Sequence, residues 1–367
     1  MSERTQVAII GAGPAGLSCG VEILNAGGDV TILDENDSPG GQLFKQIHKF
    51  FGSKAHQAGI RGIDIGNQLL KQVRENKGRV LLESVAYGIF PEHQVGYVKN
   101  GRENLIQADK IVIAAGATEN PLAFPGSTLP GVMGAGAAQT LININRVKPG
   151  NNVVMVGSGN VGLIVSYQLL QAGADVGALV EAAGEIGGYG VHSAKLARAG
   201  VPIYTSYTVK EARGEDQVEE VELVQLDENW KPVSGTEVVI PADTICISVG
   251  LSPLTELCWM SGCEFMYIPA LGGHVPWHDY NLETSIPGLY IAGDMTGIEE
   301  ASSAMEEGRL AGIACAESLG LIQKEKALEM KEEVWNRLNQ LRSGPFGDDR
   351  YQSKQVQIHR RGKVVQS

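Results

Sequence analysis

No two of the five cysteines in this chain form a C-x-x-C pair. Cys19, Cys246, Cys258, Cys263 and Cys315 are scattered, and only Cys258 and Cys263 stand close together. That spacing argues against a dithiol redox centre and against an iron–sulfur cluster held by this chain alone. Cys258 and Cys263 are read as packing residues, because a free Cys behaves as a small buried hydrophobe. Positive charge is also short. Thirty Lys and Arg face 42 Asp and Glu, a formal charge of −12, which leaves no basic face for nucleic acid. No stretch approaches the roughly 18 uncharged apolar residues of a membrane span. The apolar run Val7 to Ile10 is too short for a signal peptide and meets a glycine loop at once, so a cytoplasmic protein is expected.

What the chain has instead is glycine. Forty-seven of 367 residues are Gly, clustered in turns between apolar runs. With 43% apolar and 20% charged residues, this is the pattern of a globular α/β protein of two or three domains.

Residues 10 to 34 read IGAGPAGLSCGVEILNAGGDVTILD. Gly11 allows a tight turn after a strand, Gly13 lets the backbone approach a pyrophosphate, and Gly16 lets helix and sheet pack closely. Pro14 and Ala15 open the helix, whose N-terminus offers free N–H groups and a positive dipole end to phosphate. Asp34 ends the next strand, where a carboxylate can accept both ribose hydroxyls, and Glu35 is placed to share that role. Glycine spacing alone is weak; strand, loop, helix, strand and acid in about 30 residues is strong.

Residues 156 to 181, VGSGNVGLIVSYQLLQAGADVGALVE, repeat the plan with Gly157, Gly159, Asn160, Gly162 and Glu181. No Lys or Arg occurs between Asp175 and His192. A 2′-phosphate would meet a carboxylate there and no cation, so NAD is expected over NADP if a dinucleotide binds. A duplicated domain can also keep its fold and lose its ligand.

The second unit interrupts the first. The strand KIVIAAG, residues 110 to 116, belongs with PGLYIAGDMTG, residues 287 to 297, while DTICISVG, residues 243 to 250, closes the inserted unit. The expected division is 1–117 with 251–320 for the first domain, 118–250 for the insert, and 321–367 for a C-terminal helix and polar tail.

These residues resemble the two-dinucleotide-binding-domain flavoproteins. Gly40-Gly41-Gln42, IVIAAGATENPLAFPG and GLYIAGDMTG match the motifs on their FAD side, with Ala115 where many members have Thr. A closer likeness lies in ATENPLAFPGSTLPGVMGAGAAQTL, in LGGHVPWHDYNLETSIPGLYIAGDMTG and in EEGRLAG. They are similar to the A-type flavoprotein subunits of opine oxidase, hydrogen cyanide synthase (its B subunit) and heteromeric proline or sarcosine dehydrogenases. The resemblance implies two nested Rossmann-like domains of thioredoxin-reductase-like architecture. It implies FAD in the first unit and NAD(P) in the second, which the residues narrow to NAD, an adenine nucleotide at that second site being the alternative. The implied partners are a small iron–sulfur protein and a second flavoprotein subunit, of the amine-oxidising type. No cysteine follows Cys315, so any such cluster would come from another polypeptide.

The same resemblance assigns Ala86 beside the adenine. It gives Gly41, Gln42, Ala115 and Gly116 the path from pyrophosphate to ring, and Gly293 with Asp294 the ribityl chain. A helix from about Glu300 to Leu319 should then aim its N-terminus at the flavin pyrimidine edge. Glu299 and Glu300 would oppose charge there unless they turn to solvent. No acid–base pair or nucleophile triad is evident. His48 and His56 are candidates to roof the ring, and His192 to approach a nicotinamide or a partner. Surface or docking roles are the plainer readings.

Leu328, Val334, Trp335, Leu338 and Leu341 recur at near-helical spacing and predict one apolar face. Residues 350 to 367 hold no acid and read as a polar end or docking arm, and loss of the tail beyond Arg342 would weaken assembly more than flavin binding. The functional expectation is an FAD-dependent oxidoreductase subunit. It would pass electrons between an amine- or hydroxy-acid-oxidising partner and NAD or an iron–sulfur carrier. Two alternatives stand beside it: a self-sufficient NADH-dependent reductase of a carrier protein or quinone, and a scaffold holding ADP or ATP in its second site.

Overall fold

The computed structural model describes residues 3–344 and 347–359. The chain divides into two compact units, one formed by residues up to Thr118 and from Ser252 onward, the other by Glu119–Leu251.

At the centre of the first unit, strand Glu3–Ile10 pairs in parallel with Val30–Leu33 on one side and Arg102–Ile113 on the other. Both its faces are covered. Val7 and Ile9 enter one apolar cluster, Ala8 and Ile10 the other. This explains the unbroken VAII run, since central parallel strands are buried on both sides. Strand Arg102–Ile113 serves two neighbourhoods. It continues an antiparallel meander with Gln94–Lys99 and Ser84–Phe90, and its end, Ile111 to Ile113, pairs in parallel with Leu289–Ile291.

Helix Ala301–Ser318 lies against helix Pro14–Asn25 at close range. A Cβ on Gly308 would overlap the Ala15 carbonyl, and one on Gly312 would come within 2.7 Å of the Cys19 oxygen. The glycines of EEGRLAG are therefore packing residues that bring two helices together.

Helix Lys324–Leu341 packs against Ala301–Ser318, but its buried residues are Ala327, Val334 and Leu338. Leu328 is 56% exposed, so it leaves the predicted stripe; the buried face runs through Ala327 instead. Trp335 is half-buried and donates from Nε1 to the Tyr280 carbonyl at 3.2 Å.

The expected docking arm is largely something else. Asp348–His359 is a helix packed into the first unit, with Lys354 and Gln357 essentially inaccessible. Gln357 donates to the Pro276 carbonyl at 2.9 Å, and the Trp277 indole donates to the Ile358 carbonyl at 3.1 Å. This polar helix packs here in part because its Lys354 meets buried carboxylates, described below. Residues 360–367 of the predicted tail lie outside the described residues.

The second unit repeats the parallel core in the order Ile203–Thr205, Asp175–Glu181, Asn152–Val156, Thr244–Ile247, Val132–Gly134. An antiparallel meander, Tyr207–Arg213, Glu220–Gln225 and Val238–Pro241, accompanies it.

Candidate functional site

In the first glycine loop, Gly11 has a φ of 104° and donates its N–H to the Leu33 carbonyl at 2.8 Å. That backbone conformation favours glycine. A Cβ on Gly16 would overlap the Gly11 carbonyl, so Gly16 is needed for close packing. Gly13 differs: a Cβ there would meet nothing within 4 Å. Gly13 caps the helix, Pro14 follows at its start, and the space above the cap is open to a ligand. The segment after the acid folds back over this loop, with the Gly40 N–H donated to the Ala12 carbonyl at 2.7 Å.

Asp34 is 6% exposed and turned into the loop. One oxygen accepts the Ala12 N–H at 2.7 Å; the other accepts the backbone and side-chain nitrogens of Asn36 at 2.9 and 2.8 Å. Three donors occupy most of the roughly four acceptor positions of a carboxylate. Binding both hydroxyls of a ribose therefore requires the Asn36 amide to swing away. Glu35 points to solvent and takes no part in this arrangement.

The second loop repeats the geometry almost atom for atom. Gly157 has a φ of 103°, a Cβ on Gly162 would overlap the Gly157 carbonyl, and the position above Gly159 is open. Glu181 accepts the Ser158 N–H at 2.9 Å and its hydroxyl at 2.5 Å, while its other oxygen accepts the Ala183 N–H at 2.9 Å. Here too the following segment folds back. Gly188 N donates to the Ser158 carbonyl and Tyr189 N to Asn160 Oδ1, each at 2.9 Å.

A third feature lies in the turn Gly293–Thr296, ahead of helix Ala301–Ser318. Glu307, inside the helix, reaches back to this turn. Its Oε2 accepts the Gly293 N–H at 3.0 Å and the Thr296 hydroxyl at 2.7 Å. Its Oε1 accepts from Arg342 and, at 3.1 Å, from Lys354. Arg342 also grips both oxygens of Glu299, and Lys354 donates to the Thr296 carbonyl at 2.9 Å. Side chains of all four charged residues are at most 6% exposed. Glu299 does not turn to solvent; two buried cations neutralise it and Glu307 together. Glu300 is exposed at the helix cap.

Charges in this cluster shift one another. Burial pushes Glu307 up, but Lys354 and Arg342 overcome it and hold its carboxyl down at about 2. Burial, with Glu307 and Glu299 adding to it, raises Asp294 to about 6 against the pull of Lys354. Burial and then Lys354 push His278 down to about 4.

Gly116 has a φ of 80° and open space beside it, and follows the half-buried Ala115. Gly41 lies against Gly13, its Cβ position 3.0 Å from the Gly13 Cα, while Gln42 is exposed. Ala86 sits at a register shift in the outer meander strand. His56 is buried with Nδ1 3.0 Å from the Ser53 hydroxyl, and burial lowers its pKa. His192 is buried in helix Gly190–Arg198, its pKa lowered by burial and then by Lys195. Among the described residues no group of His, Cys, Asp and Glu is arranged to hold a metal. No helix among them is long and apolar enough to cross a membrane. Sequence reasoning missed Asn36, Ser158, Glu307, Arg342 and Lys354. Only Glu307 carried a signal, as the acid preceding the Gly308 packing position.

A family model described as pyridine nucleotide-disulphide oxidoreductase matches residues 5–308. The chain belongs to this family. Pyridine nucleotide-disulphide oxidoreductases are flavin- and pyridine-nucleotide-dependent enzymes, and the present one follows that architecture. The opine oxidase A subunit of Agrobacterium tumefaciens (strain Ach5) is 28% identical over 88% of the chain and 67% of the relative. The hydrogen cyanide synthase component HcnB of Pseudomonas aeruginosa is 27% identical over 97% of the chain and 81% of the relative. The matches span 64% and 71% of two further opine oxidase A subunits, so about a third of such a relative lies outside the match. Among solved structures, L-proline dehydrogenase from P. horikoshii superposes with a TM-score of 0.69 at 22% identity, covering 92% of this chain and 60% of that one. Thioredoxin reductase from T. acidophilum gives 0.69 at 21% identity, covering 87% and 100%. These two likenesses establish the fold.

Proposed function

We propose that this chain is the FAD-carrying subunit of a hetero-oligomeric dehydrogenase or oxidase. In this reading it passes electrons between a partner that oxidises an amine or hydroxy acid and either NAD or an iron–sulfur carrier. The observation that carries the reading is the open, acid-flanked first loop in the same unit as the Asp294 turn. The names of the relatives, subunits of opine oxidase, hydrogen cyanide synthase and sarcosine oxidase, supply the partner class.

Gly11, Gly13, Gly16 and Asp34 would hold the ADP half of FAD, Gly41 and Gly116 its central stretch, and Asp294 the ribityl hydroxyls. Bound FAD supplies the two-electron chemistry. The chain's own contribution is binding and orientation: the helix N-terminus after Gly13 would meet phosphate with its dipole, and the half-buried Asp294 would present an acceptor to a hydroxyl. No described side-chain constellation orients an amine substrate, so that task falls to a partner. We place the protein in the cytoplasm, and assign residues 1–117 with 251–320 to FAD and 118–250 to NAD or an adenine nucleotide.

The test is turnover of the flavin-loaded chain by itself, across proline, sarcosine and opine-type amines and with NADH plus common acceptors. Negligible amine oxidation, restored by the co-purified native partner, is expected. Robust oxidation of an amine by the lone chain would sink the subunit reading, and robust NADH oxidation would replace it with a self-sufficient reductase.

A further inference from the structure

Resting on the reading that the first unit binds FAD, we infer that Lys354 is a positioning residue for that flavin. It is carried in by helix Asp348–His359 to fix the Gly293–Thr296 turn and to balance Glu299 and Glu307.

Three observations converge on it. Lys354 is 1% exposed, and a lysine is almost never buried without partners that repay its desolvation. All its partners belong to one small structure: the Thr296 carbonyl and hydroxyl, Glu307 and Glu299. That structure is the turn carrying Asp294, whose N-terminal residue, Gly293, is bonded to the other oxygen of Glu307. Lys354 and Glu307 thus hold the turn from both ends.

The charge count explains why the lysine is required. Glu299 and Glu307 place two carboxylates beside Asp294, and Arg342 alone cancels only one of them. With Lys354 absent, a buried carboxylate would be uncompensated next to the residue expected to meet the ribityl chain. Such a charge either takes up a proton or draws water and pulls the turn apart. Either route disturbs Gly293 and Asp294, in a turn that lies directly against the first glycine loop: a Cβ on Gly293 would come within 2.9 Å of the Ala15 Cβ. The helix holding Lys354 is anchored on the same side by Gln357 and by the bond from Trp277 to Ile358. Helix Asp348–His359 is accordingly a part of the cofactor site, opposite to its sequence reading as a docking arm.

The experiment strips flavin from the full-length protein and titrates FAD back, following flavin fluorescence, alongside thermal melting of the flavin-free form. Lys354→Met is expected to bind FAD at least about tenfold more weakly, a change of about 1.4 kcal/mol. Lys354→Arg, which keeps the charge, should recover most of that loss. Should Lys354→Met fail to fold, the double variant Lys354→Met with Glu307→Gln removes the unpaired charge, and it should fold yet still bind FAD weakly. Wild-type affinity in whichever of these two variants folds would overturn the inference, as would an arginine variant no better than methionine. Wild-type protein that takes up no FAD at all would overturn the flavin reading itself, and this inference with it.

Discussion

Glycines of one loop differ in what they do, and the difference is measurable. Gly16 lies against the Gly11 carbonyl, whereas the space above Gly13 is open. Gly16→Val should destabilise the flavin-free protein by about 2–3 kcal/mol through overpacking. Gly13→Val should cost only its N-cap preference, about 1 kcal/mol, yet abolish flavin binding, as read by melting and by absorbance of the reconstituted protein. Full flavin absorbance in Gly13→Val would remove this loop from the cofactor site.

Asp294 makes a prediction whose sign is opposite to that of most acids. Its folded pKa, about 6, is above the ordinary value of 3.8, so the folded state holds its proton more tightly than the unfolded one. Its ionisation therefore costs stability as pH rises from about 3.8 to about 6, and the whole cost is present above that. Asp294→Asn should stabilise the flavin-free protein by about 1–3 kcal/mol at pH 8 and by little near pH 4. Denaturant melts at the two pH values measure it, and a gain independent of pH would contradict the shift. Glu307 and Glu299 add to the effect and Lys354 opposes it, so Lys354→Met should enlarge the gain.

At the scale of elements, the phase of helix Lys324–Leu341 is the sharpest difference between sequence and structure. Leu338 is fully buried while Leu328 is mostly exposed. Leu338→Ala should cost about 2–5 kcal/mol and Leu328→Ala less than about 0.5 kcal/mol, both read from melting of the full chain. Similar losses would mean the helix lies in the register that apolar spacing predicts. The two dinucleotide-type loops and the helix starting near Ala301 were legible because local rules decide them: glycine conformation, a helix start, an acid at a strand end. The Glu299, Glu307, Arg342 and Lys354 cluster was not, because its partners lie tens of residues apart and each alone reads as surface charge. The packed helix Asp348–His359 was missed for the same reason. Its composition is polar, and what holds it are buried carboxylates elsewhere in the chain.

For the molecule as a whole, the repetition of loop geometry in the second unit bears on nucleotide choice. Glu181 already accepts from Ser158 and Ala183, and no Lys or Arg occurs between it and His192. A 2′-phosphate placed there meets like charge without a cation. NADH should therefore bind at least about tenfold tighter than NADPH in parallel titrations at one salt concentration. A preference for NADPH would refute the role given to Glu181, and binding of neither would favour a second unit that holds ADP or ATP or nothing.

The nesting of one unit inside another also sets an order of events during synthesis. Strand Leu289–Ile291 must pair with Ile111–Ile113, and the entire second unit is translated between them. At roughly 5–20 residues per second, the first unit waits on the order of ten seconds for its missing strand while the second can already fold. Lys354 emerges later still, the last member of its cluster. Until it leaves the ribosome, Glu299 and Glu307 share a single cation, so the nascent chain should hold its flavin more weakly until that helix has docked.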